Sequence, residues 1–134
     1  MKTFALAAAL SLAAFATQAA ALPPLTSDNH VMGQLVAARV ADRIRHACPT
    51  ISGRLVTAFF KAEALKSYAL NKGYSGDEIK AFLKDPAAKK LVKDGAEHYL
   101  AKNGAKDGQP RSFCKLGEAE IASNSLIGSL LRAH

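Results

Sequence analysis

Apolar and polar positions follow two regimes along this chain. Phe4–Ala16 is an apolar stretch without a charge, interrupted only by Ser11, whereas from about Thr26 apolar residues recur at three- and four-residue steps, the spacing of one helical face. Thr26-Ser27-Asp28 offers N-cap side chains for a first helix running to about His46. Cys48-Pro49 breaks that helix, and Pro49 is placed to open a second, where its missing N–H costs nothing. Ile51, Leu55, Ala58, Phe59, Ala62, Leu65 and Ala69 then form one apolar stripe, closed by Asn71-Lys72-Gly73 with Gly73 free to turn left-handed.

Ser75-Gly76-Asp77-Glu78 matches a capping box and opens a short third helix carrying Ile79, Phe82 and Leu83. Asp85-Pro86 starts a fourth helix that ends at about Asn103-Gly104 and is weakened at Gly95 by roughly 1 kcal/mol relative to alanine. Residues 104–112 form the longest loop, and a last helix is expected from about Lys115 to Arg132. No segment alternates with the period of a strand, and there is no internal repeat. The expected fold is all-α: a compact single-domain bundle of about five helices.

The opening apolar stretch follows Lys2 and is followed by small residues at Ala19-Ala20-Ala21. That three-part layout predicts a secretory signal peptide over residues 1–21, leaving one helical domain over 22–134. It is short for a membrane span, which needs ~20 apolar residues, and no transmembrane segment is expected after cleavage. Export changes the meaning of Cys48 and Cys114. In an oxidising compartment the expected state is one intramolecular disulfide, with a free thiol or an interchain bridge as the competing readings. The bridge would close a loop of about 67 residues, worth roughly 4 kcal/mol in the chain-entropy account. Periplasm or extracellular space is the expected location, and a monomer the expected state.

The formal net charge of +7 favours weak attraction to anionic partners. It is scattered rather than blocked, which fits solubility as well. Arg39 and Arg43, four apart on the first helix, are a candidate anion-binding pair, though their aliphatic stems can simply cover apolar surface. Lys80, Lys84, Lys89, Lys90 and Lys93 concentrate positive charge on the third and fourth helices. Lys90 to Asp94 and Lys93 to Glu97 are neutralising i,i+4 pairs. Nucleic-acid binding is not expected, because only Phe82 lies near those lysines to stack a base.

Chemistry is sparse. His30, His46, His98 and His134 lie on different elements without metal-ligand spacing, so no metal and no cofactor are expected. There is no nucleophile elbow or phosphate-binding glycine loop. Glu120 falls at the edge of the last helix's apolar face, beside Leu116 and Ile127. A carboxylate there needs a partner. Arg54 follows Cys48 by as many residues as Glu120 follows Cys114, which would set both about 9 Å from the bridge. The expectation is a structural ion pair, Arg54 with Glu120; the alternative is an acidic catalyst with a tuned pKa.

Four local patterns, Cys48-Pro49-x-Ile51-x-x-Arg54, Gly73-Tyr74-Ser75-x-x-Glu78-Ile79, Cys114-x-Leu116-Gly117-x-x-Glu120-Ile121 and Gly128-x-Leu130-Leu131-Arg132, stand in order over roughly residues 25–132. Together they resemble an uncharacterised domain-of-unknown-function family of small exported bacterial helical proteins. The resemblance implies an exported helical protein with a disulfide and brings no activity, ligand or catalytic residue. With no catalytic residue named, the expected function is a non-enzymatic interaction or binding protein of the cell envelope, engaging another protein or an anionic envelope component. A small exported hydrolase with a site assembled from separate helices, and a weak binder of anionic envelope surfaces, are the alternatives. A pocket with converging polar groups would favour the enzyme; an apolar groove or patch would favour binding.

Overall fold

The computed structural model describes residues 20–134; the expected leader therefore lies outside the described residues apart from its last two. Five helices follow in order: α1 (Asn29–Ala47), α2 (Leu55–Asn71), α3 (Gly76–Lys84), α4 (Pro86–Lys102) and α5 (Pro110–Ala122). Two three-residue strands, β1 (Ile51–Gly53) and β2 (Leu131–Ala133), pair antiparallel, Ser52 opposite Arg132. A 3-10 turn at Gly128–Leu130 leads into β2.

The starts of α1, α3 and α4 follow from their caps. The Asp28 carboxylate accepts the His30 and Val31 amides at the head of α1. At α3 the Ser75 hydroxyl accepts the Glu78 N–H while the Glu78 carboxylate accepts the Ser75 N–H, which satisfies both orphan donors. Asp85 caps α4 through the Ala88 amide, with Pro86 in the first turn.

Three stretches depart from the expectation. Pro49 opens no helix: Pro49-Thr50 turns the chain into β1, and α2 begins only at Leu55. The last helix is not Lys115–Arg132. It starts at Pro110, which can occupy the first helical turn, and stops at Ala122. The stop is chemical: Asn124 adopts φ 51°, the Ser125 N–H returns to the Glu120 carbonyl, and the Asn124 N–H to that of Ile121. This is the paired bonding of a Schellman cap, with asparagine in the position glycine usually holds. The freed tail then runs back along β1, so the all-α expectation gains a small sheet. Gly73 closes α2 by the same device at φ 103°.

α1 is the central element, packed most extensively on α4 and next on α5. The larger core gathers Val40, Ile44, Cys48, Ile51, Leu100 and Phe113. The Cys48–Cys114 disulfide ties the end of α1 to α5 inside it. A second, smaller core joins Leu25, Val31, Ala69, Tyr74 and Ile79. Three glycines permit close approaches: a Cβ on Gly95 would meet Val36 at 2.9 Å, one on Gly117 would meet Ile51 at 2.5 Å and Ile44 at 2.7 Å, and one on Gly128 would collide with the Glu120 carbonyl oxygen. No helix among the described residues is long and apolar enough to cross a membrane.

Candidate functional site

The two cores leave α2 unevenly covered. Its C-terminal half is anchored by Ala69 and Leu65 in the smaller core, and by Lys72, whose Nζ donates to the Asp28 carboxylate at 2.7 Å. Its start is held by the Arg54 N–H, which donates to the Leu130 carbonyl, by the Arg54 guanidinium on the Ser129 carbonyl, and by Ala58 against the larger core. Between these ties the outer face stands free. Leu55, Val56, Phe59 and Phe60 are 68, 71, 60 and 65 % exposed, and the two phenylalanine rings meet edge to face at 5.6 Å.

The expected single stripe therefore splits. Ala58, Leu65 and Ala69 face inward, while Leu55 and Phe59 face out. The signal was present in the sequence. At about 100° per residue, Leu55, Val56, Phe59 and Phe60 fill one arc centred well away from Ala58, Leu65 and Ala69, so the two sets cannot point at one core.

Beside the free face, α1 and α2 part to form a groove roofed by α3. Its inner section, about 170 Å³, is walled by Val31, Leu35, Leu65, Ile79, Phe82 and Leu130. A second cavity of about 360 Å³ adjoins it at Leu35, Phe82 and Leu83 and is bordered by Arg39, Lys89 and Lys93. Lys61 and Lys66 stand at the rim of the inner section. Among the described residues no acid, histidine, cysteine or hydroxyl side chain lines either cavity.

The residues singled out from sequence fare differently. Arg54 and Glu120 do not meet. Glu120, 7 % exposed, accepts from the Tyr99 hydroxyl on one carboxylate oxygen and from the Ser125 hydroxyl on the other. Ser125 in turn accepts the Gly128 N–H at 2.9 Å. Arg54 instead reaches the Ser129 carbonyl at 3.4 Å. The physical reason is the early end of α5: the turn after Asn124 brings Ser125 under Glu120 and leaves Arg54 exposed at the head of α2. Hydrogen bonding to Glu120, with burial and the carboxylate charge adding to it, pushes the Tyr99 hydroxyl up to about 12.

Arg43 is engaged within the fold. It bonds Glu97 and, at 2.6 Å, Asp107, and stacks 5.6 Å from the Phe113 ring, joining α1 to α4 and to the loop before α5. Glu97 is thereby taken from Lys93, whereas Lys90 does pair with Asp94. Lys80, Lys84, Lys89, Lys90 and Lys93 are exposed, and of these only Lys89 and Lys93 border a cavity. Arg39 differs from Arg43: its nearest acid, Asp42, is 3.9 Å away and is already engaged by Arg45, and the buried Arg39 Nε has no hydrogen-bond partner. Among the described residues no group of three His, Cys, Asp or Glu side chains is placed to hold a metal ion.

Fold and surface together define a small disulfide-bridged helical domain with an uncovered apolar helix face and a cation-bordered groove. The chain belongs to a family of unknown function, DUF5333, whose model matches residues 23–132. No curated protein and no solved structure matched the chain in the comparisons made.

Proposed function

We propose that this is an exported, non-enzymatic binding protein of the cell envelope whose partner protein docks on the outer face of α2. The observation that carries the reading is the cluster of Leu55, Val56, Phe59 and Phe60, each at least 60 % exposed on one helix. Contiguous apolar surface of this kind on a small domain marks interaction sites, while isolated exposed apolar residues do not. Aromatic side chains also dominate the energetic centres of interfaces. Export rests on the charge-and-apolar layout of residues 1–21 and accords with the Cys48–Cys114 bridge, which favours an oxidising compartment.

The groove supports binding over catalysis, since it is lined by apolar and cationic groups, and among the described residues no carboxylate, histidine, cysteine or hydroxyl side chain stands on its walls beside them. The most unusual carboxylate, Glu120, is held by Tyr99 and Ser125 away from both cavities. The test is the double substitution Phe59→Ser, Phe60→Ser. Both side chains are solvent-facing, so the variant keeps its circular-dichroism spectrum and melting transition. It loses the protein that co-purifies with the wild type from the native envelope. Retention of that protein by the folded double variant contradicts the reading.

A further inference from the structure

We propose that the groove between α1 and α2 binds a long-chain fatty acid, its acyl chain in the apolar section and its carboxylate at Arg39, flanked by Lys89 and Lys93. The proposal rests on the reading of the protein as a binding module but uses a different surface from the outer face of α2.

Charge complementarity is the first argument. Five cations, Arg39, Lys61, Lys66, Lys89 and Lys93, border the two cavities, and no carboxylate does. A ligand with one anionic group is therefore attracted at the mouth and meets no repulsion inside. Arg39 is the second. Its side chain is 41 % exposed, its nearby acid, Asp42, lies 3.9 Å away, and that acid is shared with Arg45. The exposed end of the guanidinium is therefore open to a charge-assisted bond with a ligand carboxylate.

Shape is the third argument. The inner section is narrow and walled almost wholly by aliphatic side chains and Phe82, with Gln34 the one uncharged polar residue on its border. The larger cavity, about 360 Å³, lies in the ~300–1,000 Å³ range of small-molecule sites. One methylene chain, passing the Leu35–Phe82–Leu83 junction, fits this form. A two-chain phospholipid requires a larger inner section than about 170 Å³.

The experiment is calorimetric titration of the disulfide-bonded protein with dodecanoate below its micellar concentration, with dodecanol and a lysophospholipid of equal chain length as comparison arms. Dodecanoate binds at one site, and dodecanol at least about tenfold more weakly, since it lacks the charge that Arg39 meets. Arg39→Gln lowers dodecanoate affinity by about tenfold or more and leaves dodecanol unchanged. The pair Lys89→Gln, Lys93→Gln, on exposed positions of α4, lowers it by a smaller factor and guards against a folding defect in the Arg39 variant. Ala58→Trp, which fills the inner section, abolishes binding of both chains.

Absence of saturable dodecanoate binding overturns the proposal. So does equal affinity in Arg39→Gln, or a lysophospholipid that binds more tightly than the fatty acid. Phe59→Ser, Phe60→Ser leaves dodecanoate binding intact. Failure of the lipid titration with the α2 partner retained is thus distinguishable from failure of the docking reading.

Discussion

The Lys72 ammonium lies 2.7 Å from the Asp28 carboxylate, so the residue that caps the start of α1 also anchors the end of α2. Tyr68 adds a hydroxyl bond to the same carboxylate at 3.2 Å. The half of α2 beyond Leu65 is fixed by these bonds and by the smaller core, and the half before it carries the exposed phenylalanines. A rigid anchor behind a free apolar face reduces the ordering cost of binding.

The Asp28 cluster predicts an acid-sensitive step. The Lys72 hydrogen bond first, then the Val31 amide, draw the Asp28 carboxyl from 3.8 down to about 2, against the opposing effect of burial. A carboxyl depressed in the folded state contributes stability that is complete above the unfolded value near 4 and is lost as pH falls through about 2. Denaturant midpoints should therefore fall between pH 4 and pH 2 in the wild type, with a shallower fall in Asp28→Asn. An identical acid profile in that variant would show that the cluster does not couple to folding.

Tyr99 predicts the alkaline counterpart. Its hydroxyl is raised from 10.0 to about 12, mainly by its bond to Glu120. The neutral tyrosine is the form the folded state favours. Its contribution is thus present below pH 10 and is lost as pH rises through about 12. Ultraviolet titration should show one tyrosine ionising late, and Tyr99→Phe should remove that late step. Tyr99→Phe should also cost about 1–3 kcal/mol by leaving a buried carboxylate oxygen short of a donor. A Tyr99 that ionises near 10 in the folded protein would contradict the arrangement.

The starts of α1, α3 and α4 were legible because each rests on local chemistry: Asp28, the Ser75–Glu78 box and Asp85-Pro86 act within one turn of themselves, whereas α2 and α5 begin without a side-chain cap and were placed at the wrong residues. The disulfide was legible from two cysteines in a chain whose first residues have the layout of an export signal. The strands were not, since three residues are too few to show an alternation and Leu130-Leu131 reads equally well as a helix continuing. The stop at Asn124 carried a signal in Ser123-Asn124-Ser125, three residues that favour turns. The Arg54–Glu120 pairing assumed that α5 continued past that point. It failed with the helix, and Tyr99, 21 positions from Glu120, had no local mark of its role. The groove is tertiary: Leu35, Leu65 and Phe82 are core-like in sequence, and only packing leaves space between them.

Glycine positions offer a test of packing with opposite signs. Gly117→Ala places a methyl against Ile51 and Ile44, and Gly95→Ala places one against Val36. Each should cost about 1–3 kcal/mol by overpacking. Gly33→Ala, in α1 with nothing within 4 Å of the new carbon, should instead stabilise by up to about 1 kcal/mol through helix propensity. Chemical denaturation of the three variants checks this, and equal effects at all three would contradict the packing described.

The bridge should carry a large share of the stability. Cys48→Ala, Cys114→Ala removes a crosslink between residues 66 apart in sequence, and should cost about 2–5 kcal/mol. Far-UV circular dichroism at low temperature should change little, because α1 and α5 keep their shared core. Loss of most helical signal in the unstressed double variant would show that the bridge is needed to form the fold and not only to hold it.

The most direct measurement of the central claim is site-specific photocrosslinking in the native envelope. A photoreactive phenylalanine analogue is placed at Phe60 on the outer face of α2 and, as the comparison, at exposed Lys80 on α3. The account predicts a discrete protein adduct from position 60, absent from position 80 and lost when Phe59→Ser is added. Equal adducts from both positions, or none from position 60 in the folded protein, would contradict it.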